Sequence, residues 1–196
     1  MMKRATSREL YAYWGGLRGA RRAPERNDVD PGEIRGILAD TFILEFDAPR
    51  GFPLRIAGTR MSALFLRELR GAPFVELWRE RDRDEVRAVL AAVADQALPF
   101  LIDASATPAG AAPIDVEVLL LPLRHHGAAD ARVLGCCAPD ALPRWLGLLA
   151  VDKLALLSLR ALGRRDDDRL EPVWRAEAPP GSCGAPRPPR RGRLFF

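Results

Sequence analysis

Apolar positions recur at helical spacing in two stretches of the chain and at alternating spacing in several others. Leu10, Trp14 and Leu17 share one helical face with Tyr13 beside them, after Thr6 and Glu9, which are spaced for a capping box. Asp30, Pro31 and Glu33 repeat the start signal, with proline at the first helical position, and predict a second helix. Asn27–Asp28 and residues 19–22 mark the connection between the two. Asp82 with Glu85 opens a third, longer helix, whose Val86, Leu90, Val93 and Ala97 lie on one face and whose Arg83, Arg87 and Asp95 look outward. Strand patterns occupy residues 40–46, 99–107, 114–123 and 133–138, and residues 52–60 read as a short strand followed by a tight turn at Gly58 into a helix. Residues 109–113 form a turn, so 99–107 and 114–123 read as an antiparallel hairpin with one half-wet face carrying Asp115 and Glu117. Residues 154–162 suit a helix by leucine content, but their place after the sheet favours a last strand.

Two short strands through Phe42, Ile43, Leu44 and Phe46, then Leu54 and Ile56, run into Gly58, a helix with Leu64 and Phe65, and then Phe74, Val75, Leu77 and Trp78. That order resembles the entry into a PAS sensory domain, and more narrowly the short bacterial proteins that carry one atypical PAS domain after an N-terminal helix. The resemblance, with the long helix and the later strands, spans residues 38–140. It implies an α+β fold: a PAS-like five-stranded antiparallel sheet with helices on one face, preceded by N-terminal helices. The corresponding division is 1–37 as a helical extension, 38–163 as the PAS-like domain and 164–196 as a disordered tail rich in proline and arginine.

The resemblance further implies a cavity between sheet and helices. Met61, Phe65 and Trp78 would line it from the short helices, and Val89 and Val93 from the long one. Residues of these types at these spacings also serve simply to fill a core. Light-sensing flavin relatives carry an Asn-Cys-Arg-Phe motif on a short helix, and haem-binding relatives a histidine on the long helix. This chain has neither, so flavin and haem are disfavoured and the cofactor is left unknown. The face formed by Leu10, Tyr13, Trp14 and Leu17 either caps its own sheet or pairs with a second protomer. The homodimer is the reading adopted, since flanking helices of PAS domains commonly pair.

Charge redirects the picture only at the end of the chain. Residues 1–159 hold 21 basic and 21 acidic side chains, while residues 160–196 hold 9 and 5, which accounts for the whole net charge of +4. A neutral body with a basic tail argues against a specific nucleic-acid interface, which needs positive charge clustered on a folded face. No apolar run reaches the roughly 18–20 residues of a transmembrane helix, and the opening residues hold no signal-peptide core, so a cytoplasmic location is expected. Cys136 and Cys137 are adjacent and would point to opposite faces of a strand.

Catalytic signals are weak throughout. His125 and His126 lie in a loop, with Cys136 and Cys137 as the nearby soft ligands, and no further cluster completes a metal site. A cysteine nucleophile needs a base and a group to orient it, and nothing selects either. No P-loop, dinucleotide fingerprint or HExxH is found. The expectation is a non-enzymatic regulatory protein acting in signal transduction through a pocket or a protein surface. The resemblance implies a histidine kinase or another PAS protein as partner. Two other classes stay open: a small-molecule enzyme with Asp103 as base, and a nucleic-acid or membrane-surface binder driven by Arg187, Arg190, Arg191, Arg193 and Leu194–Phe196.

The tail composition generates a first test. Truncation after Arg169 is expected to shift the thermal midpoint by no more than a few degrees, as changes outside a core usually alter stability by about 0.5 kcal/mol or less. A large drop in differential scanning calorimetry would show that Trp174 or Phe195–Phe196 belongs to the folded body.

Overall fold

A computed structural model describes residues 2–124 and 132–163. His125, His126 and residues 164–196 lie outside the described residues. The chain opens with helix α1 (Ala5–Arg18), continues through turns to strands β1 (Thr41–Glu45) and β2 (Leu54–Ala57), and enters the short helix α2 (Thr59–Phe65). Single 3-10 turns at Phe74–Leu77 and Glu80–Asp82 lead into α3 (Arg83–Gln96). Strands β3 (Phe100–Pro108), β4 (Ile114–Leu123), β5 (Arg132–Pro139) and β6 (Val151–Ala161) follow.

All six strands join one antiparallel sheet in the order β2-β1-β5-β4-β3-β6. The sheet has six strands where the resemblance implied five; the last strand, favoured for residues 154–162, runs over residues 151–161 and lies beside β3. The outer side of β6 is not left bare. Arg79 N–H donates to Leu154 C=O, and the Asp82 carboxylate accepts the Leu156 N–H at 3.0 Å. These bonds occupy edge groups that would otherwise offer a template to another strand.

Alternation sorts the sheet residues onto two faces. Phe42, Leu44, Ile102, Ala104, Val116, Val118, Leu120 and Val133 enter the core beneath α2 and α3. Phe42 faces Gly135 across the β1–β5 pair, and a Cβ at that glycine would overlap the Phe42 ring. The absence of a side chain at 135 is what lets an aromatic lie flat on the strand.

The opposite face is also dry. Ile43, Leu101, Leu119, Leu121, Leu123, Leu134 and Cys136 pack against Leu10 and Trp14 of α1, with Val29, Ile34 and Ile37 from the turns that follow. Helices thus cover both faces, where one was expected. Leu10 is 0% and Trp14 2% exposed, so the α1 face assigned to a second protomer is spent on its own sheet. Tyr13 and Leu17 sit partly buried at its border. Trp14 Nε1–H donates to Pro122 C=O at 2.9 Å, which gives the buried indole a partner.

Local start signals were overridden at each predicted helix. The residue at the N-cap of α1 is Arg4 rather than Thr6, and it makes no side-chain cap; the Glu117 carboxylate, from β4, accepts the backbone N–H groups of Lys3 at 2.9 Å and Arg4 at 3.3 Å. Asp82 likewise turns from α3 to β6. The second expected helix is a series of turns over residues 31–37: Asp30 accepts the Gly32 N–H, and Ile37 N–H reaches only to Ile34 C=O. Ala97 falls just past α3, in a left-handed conformation that ends the helix.

The buried α1 face predicts that Trp14→Ala with Leu17→Ala destabilises the protein by about 3–5 kcal/mol in urea titration, as loss of a core aromatic does. Trp14→Phe, keeping most of the ring but not the N–H, should lose less. A double variant that stays fully stable while changing oligomeric state would restore the partner-facing reading.

Candidate functional site

The inner face collects the five residues expected to line a cavity. Met61, Phe65, Trp78, Val89 and Val93 are all buried and belong to one cluster with β1, β3 and β4. Aromatic rings gather in the same cluster. The Phe42 and Phe74 rings lie 5.2 Å apart between centroids, and Trp78 meets Phe74 edge-on at 6.0 Å. Trp78 Nε1–H is buried without a hydrogen-bond partner among the described residues. An unpaired buried donor of this kind costs about 1–3 kcal/mol. Val89 alone of the five also lines an open groove of ≈ 460 Å³, between α3 and the paired ends of β3 and β6.

Charge gathers on the outer face, where α1 begins. Asp103 accepts the Ser158 hydroxyl at 2.8 Å and Arg160 Nη2 at 3.0 Å, with Lys3 Nζ at 3.4 Å. Burial acts to raise its proton affinity, but Ser158, Arg160 and Lys3 together outweigh that and hold the carboxyl below the ordinary range. Such a carboxylate is a poor proton acceptor near neutrality, which works against Asp103 as a general base. Glu117, expected on a wet face beside Asp115, is instead 1% exposed beneath the start of α1. Arg4 pairs with Asp140 nearby.

Two further groups carry chemistry in principle. Cys136 and Cys137 do point to opposite faces, one to each core. Burial drives both thiols upward, Cys137 to about 12, so neither supplies a thiolate at neutral pH. Asp40 is 2% exposed and bonded to Arg60 at 2.6 Å; burial raises its proton affinity despite that partner. Among the described residues no group of three or more His, Cys, Asp or Glu is placed to hold a metal ion. No helix among them is long and apolar enough to cross a membrane.

Sequence reasoning missed the cleft at the end of α1. Tyr11, Trp14, Arg18 and Arg22 face Pro99, Leu162 and Gly163 across a cavity of ≈ 260 Å³. The Arg18 guanidinium stands 5.2 Å from the centroid of the Trp14 ring, a cation–π arrangement. Arg18 and Arg22 follow Trp14 at i+4 and i+8, so helical spacing carried a signal, but only the fold brings the β3 and β6 ends opposite them.

A six-stranded antiparallel sheet with α2, the 3-10 turns and α3 on one face accords with a family model described as PAS domain, which matches residues 2–138. The chain belongs to the PAS domain family. The match takes in α1 as well as the first five strands. Among solved structures, this PAS protein is similar to a variant of RsLOV at 16% identity and a TM-score of 0.43, over 57% of this chain and 68% of that one. No curated protein matches it. Membership makes the chain a sensory or signalling domain in general terms.

The Asp103 cluster gives a pH test. A carboxyl whose folded proton affinity is lowered adds stability that is present above its unfolded pKa, near 3.8, and is lost as pH falls toward the lower folded value. Asp103→Asn should therefore be less stable than the parent at pH 6, and the gap should narrow as pH falls below about 4. A gap independent of pH, read from urea titrations across that range, would show that the charge on Asp103 carries none of the effect.

Proposed function

We propose that this PAS protein is a non-enzymatic regulatory component that takes in a signal as a small molecule or protein contact and passes it on by protein–protein contact. Its place is the cytoplasm, and its partners are a second copy of itself and a histidine kinase or another PAS protein. The observation that carries the reading is the packing of one sheet between two helical layers. Neighbouring residues of one strand serve opposite faces: Cys137 belongs to the core under α3, and Cys136 lies 3.8 Å from Ser7 of α1. A shift of side chains beneath α2 and α3 thus has a short path to α1, because packed interiors transmit displacement rather than absorb it. The electrostatics of the groups available for catalysis support the same reading, since Asp103 is tied up in ion pairs and the thiols stay protonated.

Because Leu10 and Trp14 are committed inside the chain, pairing between copies must use other surface. Exposed large apolar residues include Leu142 and Leu148 before β6, Leu157 within it, and Phe46 and Ile56 at the β1–β2 edge. Native mass spectrometry of freshly purified full chain tests the proposal, reporting oligomer and retained ligand together. A homodimer, or a stable complex with a kinase or PAS protein, is expected. A chain that is monomeric at high concentration and binds neither would overturn it.

A further inference from the structure

The α1 cleft and the α3 groove meet at one end of the sheet, where α1 and α3 stop, β3 starts and β6 finishes. Gln96 and Leu98 line both. Their chemistry differs sharply. The groove along α3 is walled by Ala88, Val89, Ala92, Phe100, Leu159 and Ala161, with Glu85 among its few polar residues. Among the described residues, the cleft beside α1 contains Arg18 and Arg22 and no acidic side chain.

Those two arginines stand apart from their neighbours. Arg21, between them in sequence, is paired with Asp28 at 2.8 Å. Among the described residues Arg18 and Arg22 have no carboxylate partner. Arg18 Nε is buried without a hydrogen-bond partner, and its guanidinium is held over Trp14. A half-buried, unmatched guanidinium held by an aromatic ring is poised for a planar anion, since its fork matches a carboxylate in two-point contact. Beyond Leu98 the surface turns apolar, with small alanines leaving the trough open. On α3, Glu85 lies eleven residues from Gln96, about 16 Å along the helix, and its charge repels a second anionic end.

We propose that the cleft and the groove form one binding site for a free amphiphilic organic acid, its carboxylate on Arg18 and Arg22 and its hydrocarbon part along α3. The site lies outside the aromatic interior. It deepens the sensory reading by naming the class of ligand, and binding is measured without reference to oligomeric state or partner, so either claim can fail alone.

Isothermal titration calorimetry of the full chain with decanoate, 1-decanol and acetate tests it. Decanoate should bind, 1-decanol at least tenfold more weakly, and acetate not detectably. Arg18→Gln with Arg22→Gln should bring decanoate down to the affinity of 1-decanol. Ala88→Leu, at an exposed helical position, should weaken decanoate at least tenfold by filling the trough, while leaving the thermal midpoint in place. Equal affinity for decanoate and 1-decanol in the parent, or decanoate binding unchanged in the arginine variant, would overturn the proposal. So would decanoate binding that appears only after Asp166, Asp167 and Asp168 are changed to Asn, because the cleft would then belong to the chain's own carboxylates.

Discussion

Everything else in this fold depends on a sheet whose central strands are buried on both faces. Residues 116–123 of β4 are buried without a break, and so are 133–138 of β5. A strand dry on both sides must be covered twice. The inner cover is the familiar PAS layer of short helices and α3; the outer cover is α1. If α1 left the sheet, Ile43, Leu101, Leu119, Leu121, Leu123 and Leu134 would lose it together. At about 1.5–3 kcal/mol for each large apolar side chain, with only part of each newly exposed, the loss is on the order of 10 kcal/mol. That is comparable to the whole stability of a typical domain, about 5–15 kcal/mol. Helix α1 is therefore a structural layer of the PAS domain, and any signal it carries must travel by a small shift rather than by release.

Polar anchoring fixes where on that face α1 sits. Hydrophobic burial is not directional, so leucines alone would tolerate a helix sliding along the sheet. Glu117 removes that freedom at one end, where a buried carboxylate accepts two backbone N–H groups just before the first turn. Trp14 removes it further along, through its bond to Pro122 C=O. The pairing of Arg4 with Asp140 adds a more exposed contact, which contributes little by itself. Buried acceptors set the register; apolar area supplies the energy.

The same facts explain which parts of the fold were legible in the sequence. Alternation placed the strands closely, because the period of a strand is a local property and each side chain reports its own face. The run Val118–Leu123 also held the answer to the α1 question, since unbroken apolar character in a strand means cover on both sides. Reading the hairpin as half-wet, on the strength of Asp115 and Glu117, hid that signal. The capping boxes failed for a different reason. Thr6 with Glu9 and Asp82 with Glu85 have the right spacing, but the donors before α1 are taken by Glu117, more than a hundred residues away in sequence. Asp82 in turn is recruited by a strand that follows it by more than seventy. Long-range partners of this kind are invisible to any local rule. Met61, Phe65, Trp78, Val89 and Val93 share one buried cluster because helical periodicity finds inward faces; periodicity does not say whether an inward face meets a void or an aromatic ring.

The end of the sheet where α3 hands over to β3 is where these constraints meet. Ala97 takes a left-handed backbone with φ of 53°, a conformation that costs a non-glycine residue roughly 1–2 kcal/mol. Gly19, two residues after Leu17, ends α1 with positive φ as well, and the strand pair closes with Leu162 N–H donating to Pro99 C=O at 2.8 Å. The outer layer, the inner layer and the last strand thus terminate within one tight set of turns that bounds both open cavities. Strain persists only where its surroundings hold it in place. A molecule wedged between Leu98 and the ends of the two helices would press on α1 and α3 at once, and neither layer can yield without moving the sheet between them. The geometry that makes α1 hard to remove is the same geometry that couples it to this end of the domain.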